Sequence, residues 1–382
     1  MKKYYLEDVA EIVSGATPLT KEKKYYEGGT IAWITPKDLS GYNHKYIYEG
    51  HRSITEEGYE SCATYKIPQG AILFSSRAPI GYVAVAGKEL CTNQGFKSFV
   101  CNEEIIYNHY LYYYLKFHKK KFESLGNGST FKEISRKTIG KYEIELPSVA
   151  EQKSIVDELV QFDDKYEHNS TMLNSIQSLL EMLYIQYFEN RAIKYERKRI
   201  ADVAEIITGG TPSTRNESYW KNGVYDWYTP SDIASNENLI SFSAGKKISV
   251  LGLANSGAKL IPKDSVMMTS RATIGECVIN LSEATTNQGM LSLIPDKKNV
   301  NSLQLYFWIT RHKSLVESIS NGSTFKEVYK KDIEQLEMEV NQEMLEKFME
   351  KAEPALAYYI SILQENCLIE ELRKRIMNAL FL

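Results

Sequence analysis

The sequence predicts an α+β protein in which one strand-and-loop module occurs twice, each copy leading into a long helix, with approximate two-fold symmetry. Three observations carry that prediction. The first is an ungapped repeat at an interval of 194 residues. The run from Asp8 to Ile12 (DVAEI) returns from Asp202 to Ile206. Gly15-x-Thr17-Pro18 returns as Gly209-x-Thr211-Pro212, and Trp33-x-Thr35-Pro36-x-Asp38 as Trp227-x-Thr229-Pro230-x-Asp232. Ser76-Arg77-Ala78-x-Ile80-Gly81 returns from Ser270 to Gly275. Thr92 to Gly95 (TNQG) returns from Thr286 to Gly289, and Asn127 to Glu133 (NGSTFKE) from Asn321 to Glu327. An interval this long marks a duplicated domain with its connector rather than a solenoid. The second observation is dense turn punctuation between short β-rich runs inside each copy. The third is a stretch after Pro147 that lacks Gly and Pro and steps its apolar residues by three and four.

Each element follows from local sequence. Gly28-Gly29, Pro36, Gly41, Pro68-x-Gly70, Gly81 and Gly87 cut residues 1–147 into short segments, with β-rich runs over Ala71–Ser75 and Gly81–Ala86. Ile105–Phe122 is long and apolar enough for a helix. Thr130-x-x-Glu133, repeated as Thr324-x-x-Glu327, reads as a capping box, so a short helix is expected just after each threonine. Residues 148–192 form a helical spacer with a narrow seam through Ile155, Leu159, Phe162, Tyr166, Leu173, Ile176, Leu180, Leu183 and Tyr187. Forty residues of helix would extend roughly 60 Å at about 1.5 Å per residue, too far for one small domain to cover. A partner helix is therefore required. After a second module over 193–341, residues 342–382 supply it through Leu345, Phe348, Ala352, Leu356, Tyr359, Leu363 and Ile369. Pro354 lies inside this pattern, and a kink or break is expected near Glu353. The natural arrangement is an antiparallel pair with the modules at opposite ends.

Composition excludes several classes. No apolar run reaches a membrane span, and the first residues lack a signal-peptide core, so a cytoplasmic protein is expected. The five cysteines form no C-x-x-C pair, and the six histidines form no metal-ligand pattern. The net charge of −3 argues mildly against nucleic acid. It is unevenly spread: +3 over 1–146, −3 over 147–198, −1 over 199–340 and −2 over 341–382. The acid excess sits mainly in the connectors, so a DNA footprint would have to be a local patch or be shared with a basic partner. There is no Walker A motif, no Asn-Pro-Pro-aromatic methyltransferase motif and no H-E-x-x-H. No catalysis, bound metal or cofactor is expected of this chain alone.

The copies agree at 15 of 31 positions over 8–38 but at only 2 of 28 over 39–66. A variable insert on a shared framework suggests two recognition surfaces aimed at different targets. Arg77 and Arg271, with Ser76 and Ser270, could contact phosphates; the alternative is a framework ion pair with an acid such as Asp38 or Asp232. Because both halves share the arginine, phosphate is favoured over base. Ser129 and Ser323 stand in loops whose N–H groups could bind an anion, or simply cap a helix. The amides of Asn93 and Gln94 could meet adenine, or tie down a turn. Lys119, Lys120 and Lys121 on the tyrosine-rich helix could neutralise phosphate, or be a solvated end. The inserts carry Asn43, His44, Lys45 and Arg52 in the first copy and Asn236, Asn238, Lys246 and Lys247 in the second. All are side chains suited to base edges, and all are equally at home on a polar loop.

The ordered motif set, occurring twice and each time followed by a long helix, resembles the specificity subunit of Type I restriction-modification systems. Pro147-x-x-x-Glu151-Gln152 at the start of the first helix fits that family too. Asn341 and Leu345-Glu346 depart from it at the second. The resemblance implies two α+β target recognition domains, 1–147 and 193–341, separated by the paired helices. Each would read one half of a split double-stranded DNA sequence. It implies that the helices set the gap and dock two methyltransferase subunits, that restriction subunits join them, and that S-adenosylmethionine, ATP and Mg²⁺ belong to those partners. A reading from another class is a non-DNA-binding coiled-coil adaptor with two protein-binding modules.

Overall fold

A computed structural model describes residues 1–42, 44–128, 132–321 and 326–381. Asn43, Ser129, Ser323 and the threonines of both expected capping boxes lie outside the described residues. The chain divides into two compact units, Met1–Asn169 with Glu365–Leu382, and Ser170–Gln364.

In the first unit a five-stranded sheet has the order Ala10–Ser14, Lys97–Cys101, Ile72–Phe74, Val83–Ala86, Tyr46–Ile47. A three-stranded sheet places Ile31–Ile34 between Arg52–Ile54 and Cys91–Thr92. Lys2–Tyr5 pairs antiparallel with Glu143–Leu146 and ties the start of the domain to the first long helix. Short β-branched runs alternating with turns give these strands, and their inward faces form the core. Phe74 sits 6.3 Å from the Phe99 ring and 5.4 Å from that of Phe122. The helix expected within Ile105–Phe122 runs Asn108–Phe117, with a second short helix at Lys119–Ser124. It buries Leu111, Tyr112, Tyr113 and Leu115. These aromatics are core.

The second unit repeats the order strand for strand: Ala204–Thr208, Met290–Pro295, Val266–Thr269, Cys277–Asn280, Ile240–Ser241, with Tyr225–Tyr228 between Lys247–Ile248 and Ala284–Thr286. The inserts share almost no sequence, yet both contribute one strand to each sheet and then a short helix, Glu56–Glu60 and Val250–Ala254.

The long helices span Val149–Phe188 and Gln342–Phe381. Within each unit they run antiparallel. In the first, Asn169 donates to Asn366 Oδ1 at 2.9 Å and Arg373 pairs with Asp163 at 2.7 Å. In the second, Tyr359 donates to Gln177 at 3.3 Å and Phe188 stacks edgewise on Phe348 at 5.3 Å.

Two local expectations are corrected. Of the kink or break expected near Glu353, the break does not occur: the second long helix continues through Pro354. Pro354 and Glu350, whose carbonyl loses its N–H partner, are both exposed, so water can satisfy the freed oxygen. The short helix after the NGSTFKE run begins only at Arg136, or at Lys330 in the second copy. Glu133 and Glu327 instead form bridges with Asn127 and Asn321.

Candidate nucleic-acid interface

The repeated motifs are far apart in sequence and adjacent in space. In the first domain they collect beyond the C-terminal ends of strands Ile31–Ile34, Ile72–Phe74 and Cys91–Thr92. Ala16 N–H donates to Thr92 O at 3.1 Å. A Cβ on Gly15 would stand 1.9 Å from that oxygen, so only glycine lets the two backbones approach so closely. Trp33 Nε1 donates to Ala16 O at 3.1 Å, and Asn93 N–H to Ile34 O at 3.0 Å. Ser76 donates its N–H and its hydroxyl to Gly95 O at 2.8 and 3.1 Å. Its own carbonyl accepts from Ile134 N–H at 3.0 Å.

The second domain keeps this wiring. Gly210 N–H donates to Thr286 O at 2.8 Å, Trp227 Nε1 to Gly210 O at 2.9 Å, Asn287 N–H to Tyr228 O at 2.8 Å and Ser270 N–H to Gly289 O at 2.9 Å. One loop cluster per domain results. The variable insert returns directly beside it: Asp38 caps Thr35 through one carboxylate oxygen and accepts His51 N–H at 2.8 Å on the other. Asp232 does the same for Thr229 and for Gly245 N–H at 3.0 Å.

The predicted residues within the described range can now be placed. Arg77 Nη1 is 3.6 Å from Glu133, and Arg271 Nε is 2.7 Å from Glu327. The acids are therefore not Asp38 and Asp232, which are committed to caps. Their repetition within NGSTFKE was the signal that could have identified them. Both guanidiniums stay partly open to solvent, at 35% and 47%. Lys97, nearly buried, lies 3.8 Å from Glu133; burial pushes its pKa down while Glu133 pulls it up. Ser76 and Ser270 are corrected: both are buried, so neither hydroxyl can meet a phosphate. Asn93 and Asn287 accept the N–H of Gly95 and Gly289, each at 2.9 Å, which is the turn-tying role.

The insert residues separate into two groups. Lys45 is 2% exposed and lies 3.9 Å from Asp163 on the long helix, over the Tyr46 and Tyr113 rings, so it is withdrawn as a base reader. Burial lowers its pKa to about 8, against the pull of Asp163. His44 contacts Glu167 on the same helix at 2.7 Å. Asn236 and Asn238 shape their own turn, and Asn238 also accepts from Tyr359 OH at 3.2 Å. Lys247 pairs with Asp226 at 3.0 Å. Arg52 and Lys246 differ from these. They occupy the same place in the two copies, both are exposed, and each lies over an aromatic ring: Tyr26 at 4.7 Å and Trp220 at 5.9 Å. Among the described residues no group of three or more His, Cys, Asp or Glu could hold a metal ion.

The comparisons with known proteins agree with this layout. A family model for the Type I restriction modification DNA specificity domain matches residues 1–178 and 193–340. The Type I restriction enzyme MjaIX specificity subunit of Methanocaldococcus jannaschii is 28% identical over 98% of this chain and 91% of its own length. The EcoR124I/EcoR124II specificity subunit of Escherichia coli is 25% identical over 51% of this chain and 49% of its own. Among solved structures, the S subunit of a Type-I restriction-modification system from M. genitalium matches in fold. Its TM-score is 0.61 at 14% identity, over 100% of this chain and 96% of that one.

Proposed function

Because this chain belongs to the Type I restriction-modification DNA specificity family, as a DNA sequence-specificity subunit that is itself non-catalytic, we propose that each domain reads one half of a bipartite duplex target. The observation that supports this is the pairing of a shared loop cluster with a variable insert, twice over. The shared cluster grips what is common to all DNA, its phosphates, and the insert reads what differs. Arg77 and Arg271 are the backbone contacts in this reading, and residues 39–66 and 233–260 the readers. Within them, Arg52 and Lys246 are the leading side chains, because their equivalent positions carry a cation beside the framework while His44 and Lys45 face the long helix.

The rest of the assembly follows as proposal. Two methyltransferase subunits dock on the paired helices and close around the duplex, restriction subunits complete the nuclease, and S-adenosylmethionine, ATP and Mg²⁺ reside on those partners. The near-neutral charge of the domains fits a footprint shared with basic subunits. The working compartment is the cytoplasm. Among the described residues no helix is long and apolar enough to cross a membrane. A pure adaptor role is set aside, since the family is one of DNA specificity. Exchanging residues 39–66 for another sequence and mapping the methylated bases tests the assignment. One half of the motif should change and the other stay; a change in both halves, or in neither, overturns it.

A further inference from the structure

Each loop cluster carries one more feature that its framework does not need. Thr17 donates its hydroxyl to Gln94 Oε1, and Thr211 donates to Gln288 Oε1, across loops 77 residues apart in both copies. Gln94 and Gln288 are exposed, yet identical in the two copies. The tie is redundant for folding. The same two loops are already joined by the backbone bond from residue 16 or 210, and the indole bond to that residue's carbonyl fixes the first loop to the neighbouring strand. An exposed hydrogen bond added to these contributes little.

With one lone pair of its oxygen taken by the threonine, each carboxamide still has both N–H donors to offer. The same cluster holds a cation: Ser76 and Ser270 bond Gly95 and Gly289, which follow the glutamines, and Arg77 and Arg271 follow those serines. A tethered donor in the same loop cluster as a guanidinium suits an anionic oxygen. A base edge would differ between two halves that read different sequences, whereas a phosphate would not.

We propose that Gln94 and Gln288, held by Thr17 and Thr211, are sequence-independent donors to one DNA phosphate in each half-site. The inference rests on the DNA-reading role proposed above. It adds a neutral contact, which releases no counterion on binding.

The test uses the full chain assembled with its methyltransferase subunits and a duplex containing both half-sites. Gln94→Ala should weaken binding about tenfold, equally for matched and mismatched duplexes. The slope of log affinity against log salt should not change, and neither should the methylated motif. Gln94→Glu keeps the acceptor for Thr17 but sets a carboxylate against the phosphate, so it should bind at least as weakly as the alanine variant. Gln288 should behave alike. Wild-type-like affinity for Gln94→Glu would show that the side chain only ties the loops, and would overturn the inference. Relaxed selectivity at one base position would also overturn it, in favour of base readout. If the unaltered assembly fails to bind duplex at all, the DNA-reading role itself falls; if it binds and the variants bind equally, only this inference does.

Discussion

Replacing Asp163 tests how the first unit holds its long helices. Its carboxylate is 1% exposed and accepts from Tyr113 OH; Arg373 lies 2.7 Å from it and Lys45 3.9 Å. Asp163→Leu strands two buried cations and one hydroxyl, a loss of about 3 to 5 kcal/mol. Lys45 can limit that loss by giving up its proton, since burial already brings its pKa to about 8. The second unit shows what the alternative looks like. The long helices start 193 residues apart, at Val149 and Gln342, so at the positions equivalent to Lys45, Tyr113, Asp163 and Arg373 it has Leu239, Phe307, Leu356 and Leu180, and three of these four are buried. Installing that set as Lys45→Leu, Tyr113→Phe, Asp163→Leu and Arg373→Leu together should return stability to within about 1 kcal/mol of the parent, or above it, because no charge is left without a partner. Urea denaturation, with hydrogen exchange followed on Asn108–Phe117, reads the first unit specifically. The reasoning is refuted if the fourfold variant is as unstable as Asp163→Leu alone, or if Asp163→Leu costs under about 1 kcal/mol.

Other outcomes follow from the same geometry. Burial, then Lys45, lowers the His109 pKa to about 4, so the folded state resists protonation that the unfolded chain accepts below about 6.5. Its share of stability is present above that value and is lost as pH falls toward 4. Replacing it by leucine, the residue at the matching position 303, should remove up to about 2 kcal/mol of the difference between pH 7.5 and pH 5 in urea titrations. Arg77→Ala should weaken binding to all duplexes alike and reduce the salt slope by about 1, measured by fluorescence anisotropy across salt concentrations. Arg52→Ala should relax one half of the methylated motif, and Lys246→Ala the other, by about 1 to 3 kcal/mol of discrimination. Gly15→Ala drives a methyl group into the Thr92 carbonyl and should lower stability by about 2 kcal/mol or more in thermal unfolding.

The duplication, the long helices and the tyrosine-rich core helix were legible because periodicity and repetition are written in neighbouring residues. The loop cluster was legible only as a set of motifs, since their adjacency depends on sheet order. Trp33 and Thr92 reveal nothing of their nearness until parallel pairing brings their strands together. The insert misled for a physical reason. Lys45 and His44 look like solvent residues, and what buries them is a helix more than a hundred positions away carrying Asp163 and Glu167. Pro354 misled in the other direction, because a sequence shows a missing donor but not whether water can reach the acceptor it abandons.

The first unit closes with residues from Glu365 onward, which the ribosome delivers only after all of Ser170–Gln364 has been made. The earlier domain must therefore wait, with the Asp163 carboxylate and the Tyr110 and Tyr114 rings still lacking Arg373 and Phe381, while the later one is synthesised. Because the second unit interrupts the first in sequence, completing the nascent first domain depends on both having been translated.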